Sequence, residues 1–279
     1  MTKMTFFQAQ QWAFSYVDEY QKDHEAVDLL LLGQMNWSLT DLLMNYQTEM
    51  TTSELSLFQE NIKKYCQDYP AQYLLKKASF FGRDFLTNEA TLIPRYETEE
   101  LVEWILDDHA GEVLKVADIG TGTGAIGLTL KCERPGWQVT ITDIASETMA
   151  VAQANAQQLA IDITSVVGDL FTPLKDKYDV IVSNPPYISE EEKCYMDQST
   201  LQYEPERALF AKEDGLYFYR RIAQEIKPYL NPQGELYLEF GFQQGPALIA
   251  LFEKYHPTAQ ITLKKDINGH DRMLKVKFM

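Results

Sequence analysis

One short stretch limits the fold more than any other. Asp118-Ile-Gly120-Thr-Gly122-Thr-Gly124-Ala-Ile-Gly127 closes a β-rich run, residues 113–119, and opens a helical pattern. Glycines at this spacing let the backbone turn tightly and come close to a ligand with no Cβ in the way. A second β-rich run, 138–142, leads into Asp143, about twenty residues beyond Gly120, where a carboxylate can accept both hydroxyls of a ribose. Together these residues specify a cofactor that contains adenosine. The glycines leave its identity open: Gly122-x-Gly124-x-x-Gly127 satisfies a dinucleotide pattern, and Asp118-x-Gly120-x-Gly122-x-Gly124 fits enzymes of S-adenosylmethionine equally well. Asp118 has a plainer reading too, as a carboxylate that caps the glycine loop.

From residue 113 onward the grammar is strand, turn, helix, repeated. Further β-rich runs lie at 163–167, 178–182, 235–240, 259–263 and 273–278, with helical patterns at 147–159 and 216–230. Such alternation predicts an α/β fold whose mostly parallel sheet is covered on both faces. No clear helix separates the last two runs, so they are expected to pair as an antiparallel hairpin at one edge.

The chain before this region reads as helices. Phe6, Ala9, Ala13, Val17 and Tyr20 recur at steps of three or four, as do Ala26, Leu29, Leu30 and Gly33, then Leu39, Leu42, Leu43 and Tyr46. A fourth helix starts at Thr51, which forms a capping-box pair with Glu54, and turns Leu55, Phe58, Ile62 and Tyr65 inward. Four short amphipathic helices make a small bundle. After Pro70 the pattern changes, and aromatic residues on both sides of Gly82 suggest a hairpin over 79–87 that links the two parts. The expected organisation is a helical substrate-recognition domain at 1–75, a hairpin linker at 76–95 and a catalytic domain at 96–279.

The fourth β-rich run decides between the cofactors. It delivers Asn184-Pro185-Pro186-Tyr187 to the carboxyl end of the sheet, where α/β ligands bind. Two prolines fix φ and remove two donors. The Pro185 carbonyl and the Asn184 side-chain oxygen can then both accept from one NH2 group without internal competition. Tyr187 offers a flat face for a planar amide or base. Two acceptors on such a nitrogen would localise its delocalised lone pair toward the methyl group of a sulfonium donor. No acid or base is needed beside it, and the rate gain comes from alignment and fixed dipoles.

Asn-Pro-Pro-Tyr after a glycine-rich adenosine loop is the signature of amino methyltransferases that act on adenine, cytosine or glutamine amides. Pro70-Ala-Gln-Tyr73, Phe81-Gly82 and Thr91-Leu-Ile-Pro-Arg95-Tyr-Glu-Thr-Glu-Glu-Leu-Val102 narrow the choice. So do Tyr203-Glu-Pro-Glu-Arg-Ala-Leu209, Asp214-Gly-Leu216 and Asp266-Ile-Asn-Gly-His-Asp-Arg272. From about Pro70 to its end the chain resembles the protein-(glutamine) methyltransferases of peptide chain release factors, the PrmC or HemK family.

The resemblance implies a Rossmann-like methyltransferase sheet behind an N-terminal helical bundle. It implies that Gly120, Thr121, Gly122, Thr123 and Gly124 wrap the methionine part of S-adenosyl-L-methionine, which leaves as S-adenosyl-L-homocysteine. Asp143 would hold the ribose and Asp169 and Leu170 would meet the adenine edge. Asn184, Pro185, Pro186 and Tyr187 would grip the glutamine amide, with Asn184 touching donor and acceptor alike. The implied substrate is the glutamine of the Gly-Gly-Gln loop in class 1 release factors, reached with help from the N-terminal helices. Family members usually carry a glycine soon after the Pro-x-Gln-Tyr stretch, where this chain has Lys76 and Lys77. Arg95, Glu97 and Arg272 read equally well as braces of the pocket floor and as ligand contacts.

Charge weighs against the nucleic-acid alternative, an adenine or cytosine amino methyltransferase. The chain carries 25 Lys+Arg against 41 Asp+Glu, a net charge of −16, whereas binding through phosphates draws its affinity from a surplus of cations. Residues 188–215, where a substrate would enter, hold no basic cluster, so direct nucleic-acid binding is not expected. A nicotinamide oxidoreductase would leave Asn-Pro-Pro-Tyr unexplained, and a non-catalytic binding protein would need its pocket blocked. Three scattered cysteines and four scattered histidines supply no metal-ligand spacing. The longest apolar stretch, residues 247–252, is far short of the ~20 residues of a membrane span. A cytoplasmic monomer is the expectation.

Overall fold

The computed structural model describes residues 3–279. They form two compact units: the described residues up to Lys77 with Asp197–Tyr203, and Ala78–Met196 with Glu204–Met279.

The first unit contains α1 (Phe6–Glu19), α2 (Glu25–Met35), α3 (Leu39–Asn45), α4 (Thr52–Tyr65) and α5 (Ala71–Leu75). Capping boxes start three of them, Thr5 with Gln8, Ser38 with Asp41 and Thr51 with Glu54, each closing two backbone donors that a helix end leaves open. Ala9, Ala13, Val17, Leu30, Leu31, Leu42, Phe58 and Ile62 form the core. The stripe expected on α3 is narrower than its spacing suggests, because Leu42 is buried while Leu39 and Leu43 stay exposed. The fifth helix, α5, begins directly after Pro70, whose carbonyl accepts from Leu74 N at 3.2 Å. Lys76 ends it at φ 56, the left-handed backbone to which a glycine is suited.

A hairpin of β1 (Lys77–Phe80) and β2 (Arg83–Leu86), all but Lys77 within the second unit, comes next, then α6 (Tyr96–Asp108), β3 (Lys115–Ile119), α7 (Ala125–Glu133), β4 (Gln138–Asp143) and α8 (Ser146–Gln158). β5 (Thr164–Val167) and β6 (Tyr178–Ser183) follow. After α9 (Gln198–Tyr203), which belongs to the first unit, come α10 (Glu206–Leu209), α11 (Tyr217–Glu225), β7 (Leu230–Glu239), α12 (Gly245–Tyr255), β8 (Gln260–Lys265) and β9 (Asp271–Lys277). The seven-stranded sheet has the order β5-β4-β3-β6-β7-β9-β8. Its first five strands run parallel, while β9 pairs antiparallel with both β7 and β8. The expected Rossmann-like sheet with an antiparallel edge is therefore present.

Alternate residues of each central strand serve opposite faces. Val116, Val180 and Val182 pack with α6, α7 and α8 on one side, and Ala117, Ile119 and Ile181 with α11 and α12 on the other. Two covered faces explain why these strands read as unbroken apolar runs. The hairpin is built into this core: Phe80 and Phe85 meet edge to face at 5.9 Å, in one cluster with Leu101, Val102 and Ile105 of α6. Among the described residues no helix is long and apolar enough to cross a membrane.

Candidate functional site

Strand order places the site. Chain connections run from β3 outward through β4 to β5, and on the other side through β6 to β7, so β3 and β6 flank the point where the order reverses, the position at which α/β sheets bind ligands. Ile119 of β3 is in register with Ser183 of β6, and the Ser183 hydroxyl donates to the Ile119 carbonyl at 2.6 Å. The next residues, Gly120 and Asn184, leave the sheet side by side at the carboxyl ends of these strands.

Gly120, Gly122 and Gly124 have φ of 70, 59 and 87, a region L side chains rarely enter. A Cβ at Gly120 or Gly122 would point into open space, so the loop presents bare backbone to the cavity. Asp118 braces the loop from below. It is wholly buried and accepts from Gly127 N at 3.0 Å and from the Thr121 hydroxyl, and burial pushes its pKa up to about 6. The capping reading of Asp118 thus describes its contacts. Asp143, at the end of β4, faces the cavity and accepts from Gly122 N at 3.2 Å and Ala145 N at 3.0 Å. Burial raises its carboxyl above the ordinary range against those hydrogen bonds.

Residues 119–123, 143–144, 168–170 and 183–186 of the cavity wall come from these loops and the strands that carry them. Asp169 and Leu170 belong to the wall, but both Asp169 oxygens accept from Arg221 Nη1, at 3.0 and 2.8 Å. Asp169 therefore reaches the cavity with its carboxylate committed to a cation, and Leu170 beside it has φ 46. Asn184, Pro185 and Pro186 line the cavity as well. Tyr187 does not: its ring lies against Gly241, where a Cβ would come within 3.3 Å, and its carbonyl accepts from Gln244 Nε2 at 2.9 Å. Burial holds the Tyr187 hydroxyl well above its usual pKa.

Several residues of the site had no role assigned from sequence. Thr98 of α6 lines the cavity; its hydroxyl donates to Glu239 Oε2 at 2.6 Å and accepts from Asn184 Nδ2 at 3.3 Å. Glu239 is 2% exposed and has a pKa raised to about 7, first by burial. Arg95 lines the cavity and donates to the buried Glu204 at 2.6 Å, and Arg272 pairs with buried Asp266 at 3.3 Å. Both arginines are thus held by carboxylates. Arg207, another lining residue, donates to Glu147 Oε1 at 2.6 Å and Thr148 Oγ1 at 3.1 Å. The cavity has a volume of about 270 Å³ and its wall is mainly apolar, proportions of a small-molecule site with a few placed polar groups. Glycine loop, acid, asparagine and both prolines line this one cavity.

Comparison with known proteins places the chain among relatives. The family model described as PrmC N-terminal domain matches residues 8–75, and the one described as methyltransferase small domain matches residues 97–212. A release factor glutamine methyltransferase of Enterococcus faecalis is 42% identical over 269 residues, 96% of this chain and 97% of that protein. One of Streptococcus pneumoniae is 43% identical over 256 residues, 91% of this chain and 92% of its own. Among solved structures, the hMettl16 catalytic domain in complex with an RNA hairpin superposes with a TM-score of 0.55 at 20% identity, over 71% of this chain and 77% of that one. A methyltransferase from Pyrococcus furiosus gives 0.53 at 17% identity, over 81% and 98%. These two likenesses concern the fold.

Proposed function

This chain belongs to the family of release factor glutamine methyltransferases, and on that premise we propose how its site does the chemistry: it takes a methyl group from S-adenosylmethionine over the glycine loop and passes it to the side-chain amide nitrogen of a glutamine held by Asn184 and Pro185. The reaction is methylation of a release factor glutamine. The observation that carries this reading is the pairing of Ile119 with Ser183, which sets a bare-backbone loop and an Asn-Pro-Pro turn at adjacent strand ends. The residues suit an adenosine-bearing donor, since the glycine cradle is free of Cβ atoms and Asp143 faces the same cavity.

When bound, S-adenosylmethionine supplies a methyl group on a positively charged sulfur. Gly120 to Gly124 would hold its methionine part and Asp143 its ribose, while the backbone at Asp169 and Leu170 would meet the adenine edge. The Asn184 side-chain oxygen and the Pro185 carbonyl accept the two hydrogens of the glutamine amide, fixing the plane of the group and turning its lone pair toward the donor. Pro185 and Pro186 bring no N–H of their own to compete. Tyr187 supports the turn from behind. Alignment of this kind can contribute roughly 7 to 11 kcal/mol. The methylated nitrogen sheds its proton after transfer, so the clamp itself needs no base. The substrate glutamine is that of the Gly-Gly-Gln loop of a class 1 release factor, and the reaction runs in the cytoplasm.

The test is incubation with tritiated S-adenosylmethionine and a release factor, followed by mass mapping. Label on the amide of the loop glutamine is expected; label on another residue, or on RNA or DNA offered in its place, would overturn the reading. Replacing Asp143 by Ala removes a charged acceptor worth about 1.5–3 kcal/mol, so calorimetry should show cofactor affinity weakened by roughly 10- to 100-fold, with turnover at saturating donor changed far less.

A further inference from the structure

An asparagine amide has two nearly isosteric orientations, one presenting oxygen and the other NH2. If the clamp works as proposed above, on which this inference rests, only the first accepts from a substrate amide; the second sets donor against donor. Something must therefore choose. Asn184 stands with its Nδ2 on Thr98 Oγ1 at 3.3 Å, and Thr98 donates its own hydrogen to Glu239 Oε2 at 2.6 Å. An ionised carboxylate only accepts, so Thr98 must offer it the hydrogen. Thr98 has given its one hydrogen to Glu239 and has only lone pairs left for Asn184. The asparagine nitrogen is thereby drawn inward, and the oxygen is left for the cavity that Asn184 lines.

We propose that Glu239, acting through Thr98, is a positioning residue that locks the Asn184 amide with nitrogen inward and oxygen toward the substrate. Glu239 sits at the end of β7, next to β6 in the sheet, so it reaches the clamp from beneath. A fully buried acid is costly unless it is hydrogen-bonded, and here its bond runs to Thr98, which in turn accepts from the proposed clamp. The groups that face it are Thr98 and Glu97 on α6, Asn184 after β6, and Arg272 on β9. The Tyr187 hydroxyl lies within its field, and Tyr219 of α11 donates to its backbone carbonyl at 2.8 Å. Arg272 favours the ionised form, whereas burial and Glu97 oppose it and bring its pKa to about 7. Below that pH a protonated Glu239 can donate as well as accept, and the choice of orientation is lost.

Glu239→Gln tests this with almost no change of shape. A glutamine amide both donates and accepts, so Asn184 can turn over. Turnover with a release factor should fall about 10- to 100-fold, the scale of a misplaced catalytic group, while affinity for S-adenosylmethionine stays within about threefold. In the wild type, turnover should rise with pH through about 7 as Glu239 ionises, and that limb should vanish in Glu239→Gln. A role in stability alone would leave the pH limb in place. Thr98→Val and Thr98→Ser form a second pair, should the first variant fold poorly: loss of turnover in the valine variant with recovery in the serine variant supports the lock. Near-normal turnover and an unchanged pH profile in Glu239→Gln, or full turnover in Thr98→Val, would overturn it. Absence of transfer by the wild type to any release factor glutamine would instead strike the functional reading itself.

Discussion

Asn184→Ala is expected to lower methyl transfer by at least ~10²-fold, the scale for losing one preorganised dipole at a reacting group, while S-adenosylmethionine affinity stays within several-fold. The asymmetry follows from what surrounds the residue. The proposed cofactor cradle is the glycine loop and Asp143, and Asp143 keeps its own hydrogen bonds to Gly122 and Ala145 whether or not position 184 carries an amide. The proposed acceptors are the Asn184 oxygen and the Pro185 carbonyl, and losing one of the two would free the substrate nitrogen to rotate. Truncation would also strip a donor from the Thr98 hydroxyl, so Asn184→Asp is a useful companion: it keeps the volume, adds a second carboxylate near Glu239 and should be at least as damaging. Single-turnover rates at saturating donor are the measurement. Turnover within threefold of wild type in Asn184→Ala would remove the clamp from the mechanism.

The second large effect is expected at Gly215, away from the cavity wall. Its φ is 82, and a Cβ there would fall 2.1 Å from the Tyr187 carbonyl oxygen and 2.3 Å from Gln244 Nε2. Those two atoms are bonded to each other at 2.9 Å, and Gln244 Oε1 accepts from Gly241 N at 3.0 Å, so one side chain ties the Asn-Pro-Pro-Tyr turn to the loop after β7. Left-handed backbone costs a non-glycine residue roughly 1–2 kcal/mol, and forcing extra atoms into a filled space costs about 1–3 kcal/mol more. Gly215→Ala should accordingly lose about 2–5 kcal/mol of unfolding free energy, read from urea midpoints at unchanged slope. Any folded fraction should transfer methyl groups poorly, because Tyr187 must move. A loss under 0.5 kcal/mol, the range of ordinary surface changes, would show that the turn does not lean on this glycine.

Much of this architecture could be read from residue order. The β-rich runs at 113–119, 138–142, 163–167 and 178–182 lie on β3 to β6 because both faces of the sheet are covered and a strand has no polar side to interrupt it. The antiparallel edge followed from a missing helix between 263 and 273. What escaped was local or distant. Helix α5 has five residues, too few for a periodic stripe, although Pro70 just before it was a usable start signal. Strand β7 begins at Leu230, earlier than expected, because its pairing with β6 shifts register between Tyr178 and Val180 and Gln233 turns at φ 61. Glu239 was hidden inside an apolar run, and its partner Thr98 is 141 residues away. Its only sequence signal was a lone acid at the carboxyl end of a core strand. Tyr187 follows the two prolines in sequence but is not part of the cavity wall; Gln244 holds its carbonyl and Gly241 lies against its ring.

The hydrogen-bonded pairing of Ile119 with Ser183 has a mechanical corollary. Neighbouring strands in a sheet stand about 4.8 Å apart and cannot slide without breaking their ladder. Whatever rests on Gly120 and whatever is gripped at Asn184 therefore share one stiff mount, and vibration or drift in the outer loops displaces the two reactants in unison. Outlying helices and turns are then at liberty to diversify, to suit one protein client or another, without detuning the gap across which the methyl group must jump.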